Sequence, residues 1–227
     1  MIQKRYSLFE TNSSSTHAIV VHKTKSTDDL TDKFWFSDWG METAFGRCES
    51  MLVDSVQNKI AYAYIVVKDI ADWKKEADAV QKFLDNLYSV SEEFYNKNKY
   101  SEFSKQNIDN VIYFIDNQKE YNAYVDHVED FCDNGFYRRL VDDKDFVRRL
   151  VYDENSYITV GGDEYRGYNL KKIGFEHDYD YGYSGKTREI GDDGYYKYVD
   201  PADYYIGEFW DKVKELRKEN EIFFKGN

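Results

Sequence analysis

Asn12-Ser13-Ser14-Ser15-Thr16-His17 is the one dense run of small hydrogen-bonding side chains in the chain. Successive hydroxyls and loop N–H groups can line an anion-binding concavity. His17 at its edge adds a group that titrates near neutral pH. The same residues also describe a Ser-rich turn that caps its own backbone, with His17 passing into a strand. Asp126-His127 is the second candidate. Neighbours on a strand point to opposite faces, so these two cannot pair as an acid–histidine dyad. Any carboxylate that orients His127 must come from elsewhere. His17 and His127 are the candidates for moving protons on a bound ligand. A metal would require both to meet a carboxylate such as Glu42 or Asp163, and no metal or cofactor is expected. His22 and His177 stand in polar company and read as solvent residues. Cys48 and Cys132 lack a CxxC spacing and read as buried small hydrophobes. No phosphate loop, GxGxxG, HExxH, GxSxG or EF-hand signature is present, which weighs against the commonest ATPase, dinucleotide, zinc-protease and serine-hydrolase designs.

Charge points to a different class of function. Asp plus Glu is 43 against 31 Lys plus Arg, a net charge of -12. That opposes a surface built to coat nucleic acid or to dock on anionic lipid. Acidic density is concentrated over residues 116–145, with nine carboxylates against four Lys/Arg, and over residues 176–203, with eight against three. In the second stretch Asp178, Tyr179, Asp180 and Tyr181 alternate charge with aromatic area. One reading is a solvated face that maintains solubility. The other is a contact surface for a basic partner, with tyrosines as anchors. The 22 tyrosines against one proline suit either a Tyr-rich sheet and core or such a surface.

These residues have to be carried by a scaffold, and the apolar pattern outlines one. Ala18-Ile19-Val20-Val21 reads as a buried strand, and Tyr157-Ile158-Thr159-Val160 as another, stopped by Gly161-Gly162. Val53, Val56, Ile60, Ala63 and Val67 share one helical face. Ile70, Trp73, Ala77, Val80, Leu84, Leu87 and Phe94 recur at steps of three and four, interrupted at Ser91, and predict one long helix over 70–96 capped by Asp69. Val111-Ile112-Tyr113-Phe114-Ile115 and Tyr121 to Val125 read as strands. Asp142 and Asp145 frame a short helix carrying Phe146, Val147 and Leu150. Residues 161–198 are rich in Gly and Tyr, with a hairpin turn at Asp193-Gly194. Asp200-Pro201 opens a last helix with Tyr205, Phe209, Val213 and Leu216 inward. Helices and strands do not alternate as βαβ units. The expected class is therefore α+β, a mostly antiparallel sheet packed with two long helices and shorter ones. The expected organisation is a main domain over 1–160, with an acidic Gly/Tyr-rich extension and C-terminal helix over 161–227 packed on it.

Phe9-Glu10-Thr11-Asn12-Ser13-Ser14-Ser15-Thr16-His17 resembles the opening of a family of small, mostly uncharacterised bacteriophage proteins. Tyr124-Val125-Asp126-His127 is similar to a second element of that family, and Leu150 to Asp163, with its Asn155-Ser156 and Gly161-Gly162-Asp163, to a third. Glu42, Asp54-Ser55 and Lys59 give a weaker match. The resemblance covers residues 5–165 in patches and implies a viral origin without a settled activity. It also implies that His17, His127 and Asp163 share one site. The expected function is that of a phage accessory protein that occupies and inhibits a host factor, most readily of a defence system, through its acidic Tyr-rich surface. The alternative is an enzyme or sequestering protein for a small phosphorylated ligand, held by Asn12 to His17 with His127. The first reading leans away from catalysis and expects a host protein with a basic surface, no direct nucleic acid and no membrane. With no apolar leader at the N-terminus, it places the chain in the cytoplasm of the infected host.

Overall fold

The apolar run Ala18-Ile19-Val20-Val21 lies in β1 (Thr16–His22), an inner strand of a four-stranded sheet. The structure is a computed structural model and describes residues 16–23, 41–46, 51–98, 104–118, 123–126, 128, 130–161, 187–190, 196–199 and 214–225. The strand order is β3 (Met51–Val53), β5 (Tyr157–Gly161), β1 and β8 (Asn220–Lys225), with every neighbouring pair antiparallel. Residues directly opposite in such a ladder share a face. The register pairs His17 with Val160, Ile19 with both Ile158 and Phe223, and Val53 with Ile158. These side chains therefore line one face, and the helices pack on it. Ala18, Val20 and Thr159 on the opposite face are buried too. Burial on both sides explains why β1 reads as a continuous apolar run rather than an alternation.

α1 (Val56–Lys74) is buried almost all round and packs against α2 (Ala79–Asn98), α3 (Lys105–Asp116), α5 (Phe136–Asp142) and α6 (Lys144–Tyr152). Ser55 begins it, its Oγ accepting from the Asn58 N–H at 3.3 Å. The class is α+β.

The single helix expected over 70–96 is two helices. Lys75 takes a left-handed conformation (φ 58°) and its N–H reaches the carbonyls of Ala71 and Asp72, which ends α1. Asp69 lies inside α1 and caps nothing, Trp73 is 66% exposed, and Ala77 is exposed. The connection from residue 75 to 78 is about one helical turn long, so the apolar spacing runs on across the break. The buried stripe of α2 is Ala79, Phe83, Leu87, Val90 and Ser91.

Residues 111–115 are also helical rather than a strand. Ile108, Val111 and Ile115 are the buried residues of α3, and Tyr113 is 70% exposed. A stripe at helical spacing overrides β-favouring composition there. α6 carries the expected buried face of Phe146, Val147 and Leu150, with Asp145 in its first turn; its cap is Asp143, whose Oδ1 accepts from the Phe146 N–H at 2.9 Å, while Asp142 ends α5.

Of the strand expected over 121–125, Tyr124–Val125 forms β4, which pairs in parallel with β2 (Ala44–Phe45). A one-turn α4 (Asp130–Asp133) follows. β6 (Thr187–Ile190) and β7 (Tyr196–Val199) are antiparallel and flank the hairpin expected around Asp193-Gly194, whose turn lies outside the described residues. So does the start of the helix expected from Pro201; residues 214–219 are helical and lead into β8. Among the described residues no helix is long and apolar enough to cross a membrane.

Candidate functional site

His17 belongs to β1 rather than to a loop, on the face covered by helices. It is wholly buried, and its Nδ1 lies 2.6 Å from the Tyr62 hydroxyl of α1. Tyr62 sits on the second turn of α1, where the buried face meets the sheet. Its ring packs edge-on against Phe45 of β2 (5.0 Å, 74°), and Phe131 of α4 stands 6.2 Å from both the Tyr62 and the His17 rings. Burial pushes the Tyr62 phenol well above its ordinary pKa, so it stays protonated.

One turn earlier on α1, Lys59 is also buried. Its Nζ donates to the carbonyls of Asp153 and Ser156, both at 2.9 Å, across the bend between α6 and β5. Ser156 Oγ accepts from the His22 N–H at 3.0 Å, and Asp153 Oδ1 from the Asn155 N–H at 2.8 Å. Asp153 Oδ2 is buried without a hydrogen-bond partner, 3.6 Å from His22 Nδ1. Arg149 then ties this corner to β8: one guanidinium nitrogen donates to the His22 carbonyl at 2.8 Å and another to Glu221 at 2.7 Å. Arg139 joins Glu221 at 2.8 Å and Asp143 at 2.5 Å.

No protein-family model, curated protein or solved structure matches this chain.

The expected site residues divide as follows. Thr16 and His17 open β1. Glu42 is exposed, and its N–H donates to Asn58 Oδ1 at 3.0 Å, beside the start of α1. Asp126 is half-buried, and its N–H donates to the Phe45 carbonyl at 3.0 Å. Val125 of the second motif pairs in the ladder with Phe45, whose ring packs on Tyr62, the hydrogen-bond partner of His17 of the first. Asn12, Ser13, Ser14, Ser15, His127, Asp163, Asp178, Tyr179, Asp180, Tyr181, His177 and Cys48 lie outside the described residues. Cys132 is half-buried against the core. No group of three or more His, Cys, Asp or Glu able to hold a metal occurs among the described residues.

Two residues of this corner are not singled out by the sequence, Tyr62 and Arg149; His22, expected in solvent, is instead half-buried with its ring beside Asp153, itself part of the Leu150 to Asp163 element. Tyr62 was hidden among 22 tyrosines. Arg149 carries an ordinary surface side chain, and nothing local signals that β8 returns beside it and His22. Only Lys59 and the Asn155-Ser156 element carried a signal, through the resemblance.

Proposed function

We propose that this chain is a phage-encoded accessory protein that binds a host protein with a basic surface, most readily a component of a defence system, in the host cytoplasm. The observation that carries the reading is the state of His17. The residue on which acid–base chemistry would have depended is enclosed by Tyr62 and Phe131 as part of the core. The charge distribution supports the same conclusion. Lys68, Lys82, Arg138, Arg139, Lys144, Arg148 and Arg149 each hold an internal carboxylate. Within residues 116–145, Asp116 and Asp143 hold internal cations; residues 176–203 carry eight carboxylates against three Lys/Arg in the sequence, interleaved with tyrosines. A negative surface of that kind steers a basic partner, while the tyrosines supply contact area.

The test is affinity capture followed by binding kinetics at two salt concentrations. Association slows as salt rises. Reversing Asp178 and Asp180 to Lys lowers the on-rate, and truncating Tyr179 or Tyr181 to Ala raises the off-rate. Salt-independent binding, or full binding by the double Lys variant, refutes this reading.

A further inference from the structure

Trp73 is 66% exposed on the last turn of α1, a helix otherwise buried almost all round. An indole left in water forgoes a large gain from burial, and Trp is the residue most used to anchor interfaces. Among the described residues no ring or cation stacks on it. The turn that carries it is fixed from both ends. The Lys75 N–H closes α1 on the carbonyls of Ala71 and Asp72, and Glu76 is fastened to Tyr137 and Arg138. A rigidly presented anchor loses little freedom on binding.

Residues three and four apart are neighbours on a helix, so Asp69 stands beside both Asp72 and Trp73. Among the described residues neither carboxylate has an ion-pair or hydrogen-bond partner. Asp69 is half-buried. Loss of water first raises its carboxyl above the ordinary range; Lys68 draws it down, and Asp72 raises it again. A further cation is therefore welcome there. The lysines of this turn are engaged elsewhere: Lys68 Nζ holds Asp116 at 2.6 Å, and Lys74 Nζ lies over the Tyr137 ring, 5.5 Å from its centre. Lys75 lies past the helix end.

We propose that Trp73, with Asp69 and Asp72 beside it, is a docking point for an arginine side chain of a basic protein partner. The planar guanidinium stacks on the indole while its N–H groups donate to the carboxylates. Arginine suits this better than lysine, whose compact ammonium is strongly hydrated and lacks the fork. The partner class rests on the reading under Proposed function; the docking point rests on α1 alone and lies outside residues 176–203.

The experiment follows the indole N–H signals of the full-length protein by 1H–15N correlation, with Trp73 identified among the four tryptophans through Trp73→Phe. The probes are an arginine hexapeptide and a lysine hexapeptide. The expected result is a shift of the Trp73 signal that is larger with the arginine peptide. Trp73→Ala should weaken that binding about fivefold, the scale of an exposed cation–π contact. Asp69→Asn combined with Asp72→Asn should weaken it about two- to fivefold, as exposed ion pairs do. Tyr113→Ala, which removes another exposed aromatic, should leave it unchanged. An equal response to the two peptides overturns the choice of arginine. Concentration-dependent change of the Trp73 signal without peptide assigns the patch to a second copy of this chain, and a shift with phosphatidylcholine vesicles assigns it to a lipid surface; either overturns the proposal. So does binding of the arginine peptide that leaves the Trp73 signal unmoved and that Trp73→Ala does not weaken. If that binding is then lost on reversing Asp178 and Asp180 to Lys, the reading of residues 176–203 survives without this docking point.

Discussion

A buried ammonium group is costly unless its donors are met, and Lys59 is the clearest case in this fold. It is 1% exposed, and its Nζ serves the Asp153 and Ser156 carbonyls. The bend between α6 and β5 would otherwise bury those two acceptors. Lys59→Met preserves much of the side-chain volume and removes the donor. The expected loss is about 2–4 kcal/mol, from leaving buried acceptors unsatisfied, read by urea denaturation. Lys68 is the control. Its Nζ holds Asp116 at 2.6 Å, but both side chains are substantially exposed. Lys68→Met is expected to cost under about 1 kcal/mol, as exposed pairs do. Equal losses at the two positions would show that Lys59 is not a buried strut. The same substitution should thus separate two lysines that look alike in the sequence, nine positions apart on one helix. Sequence could place Lys59 on α1 but could not show its burial, because the carbonyls it serves lie more than 90 residues away.

At the scale of elements, what was legible depended on how local the cause was. β1, β5, α1 and α6 were readable because an apolar run or a capped stripe of a few residues determines each. α6 carries acidic start signals, of which Asp145 falls in its first turn. The break between α1 and α2 was not readable, because a connection of about one turn keeps the apolar spacing in phase. α3 was misread because Val, Ile, Tyr and Phe favour strands in isolation, and only packing on α1 selects the helical stripe. The break is itself testable. Lys75 holds φ at 58° with no glycine to relieve it, and such a conformation costs an L-residue roughly 1 kcal/mol. Lys75→Gly is expected to raise stability by up to about 1 kcal/mol, because the relief is offset by glycine's greater freedom when unfolded; a lower thermal midpoint would refute it. The next residue fastens the connection to α5. Glu76 accepts from the Tyr137 hydroxyl at 2.8 Å and from two nitrogens of Arg138 at 2.7 and 3.0 Å. The Tyr137 hydrogen bond first, and then Arg138, hold the Glu76 carboxyl below its ordinary pKa. A lowered folded-state pKa means that the ionised form stabilises the fold. That contribution is complete above the unfolded value and is lost as pH falls through the folded one. Glu76→Gln should therefore cost up to about 1 kcal/mol at pH 7 and progressively less in acid. A penalty that persists at low pH would assign it to packing.

Across the whole molecule, the C-terminal strand closes the structure on the part of the chain where the motifs begin. β8 was absent from the sequence reading because Ile222, Phe223 and Phe224 form too short a run, and their partner β1 lies some 200 residues away. Its placement makes residues 220–225 part of the same sheet as β1 and β5. Two kinds of contact hold it. Phe223 packs between Phe136 (5.4 Å) and Phe146 (5.6 Å). Glu221 meets Arg139 and Arg149, and Arg149 in turn holds the His22 carbonyl at the end of β1. Removal of Glu221 leaves a guanidinium that is 8% exposed without its carboxylate, a situation worse than never having had the pair. Glu221→Gln keeps the shape and one acceptor, and is expected to cost about 2–3 kcal/mol, the scale of hydrogen bonds to charged groups. Deletion of residues 220–227 removes the whole strand. It exposes the β1 edge next to His17 and strips the aromatic packing from α5 and α6. The truncated chain is expected to lose cooperative unfolding, and the slowly exchanging amides of β1 should become fast in hydrogen exchange. If β1 stayed protected in the truncated protein, the motif strand would be held by β5 and the helices alone, and the C-terminal strand would be an accessory to the core.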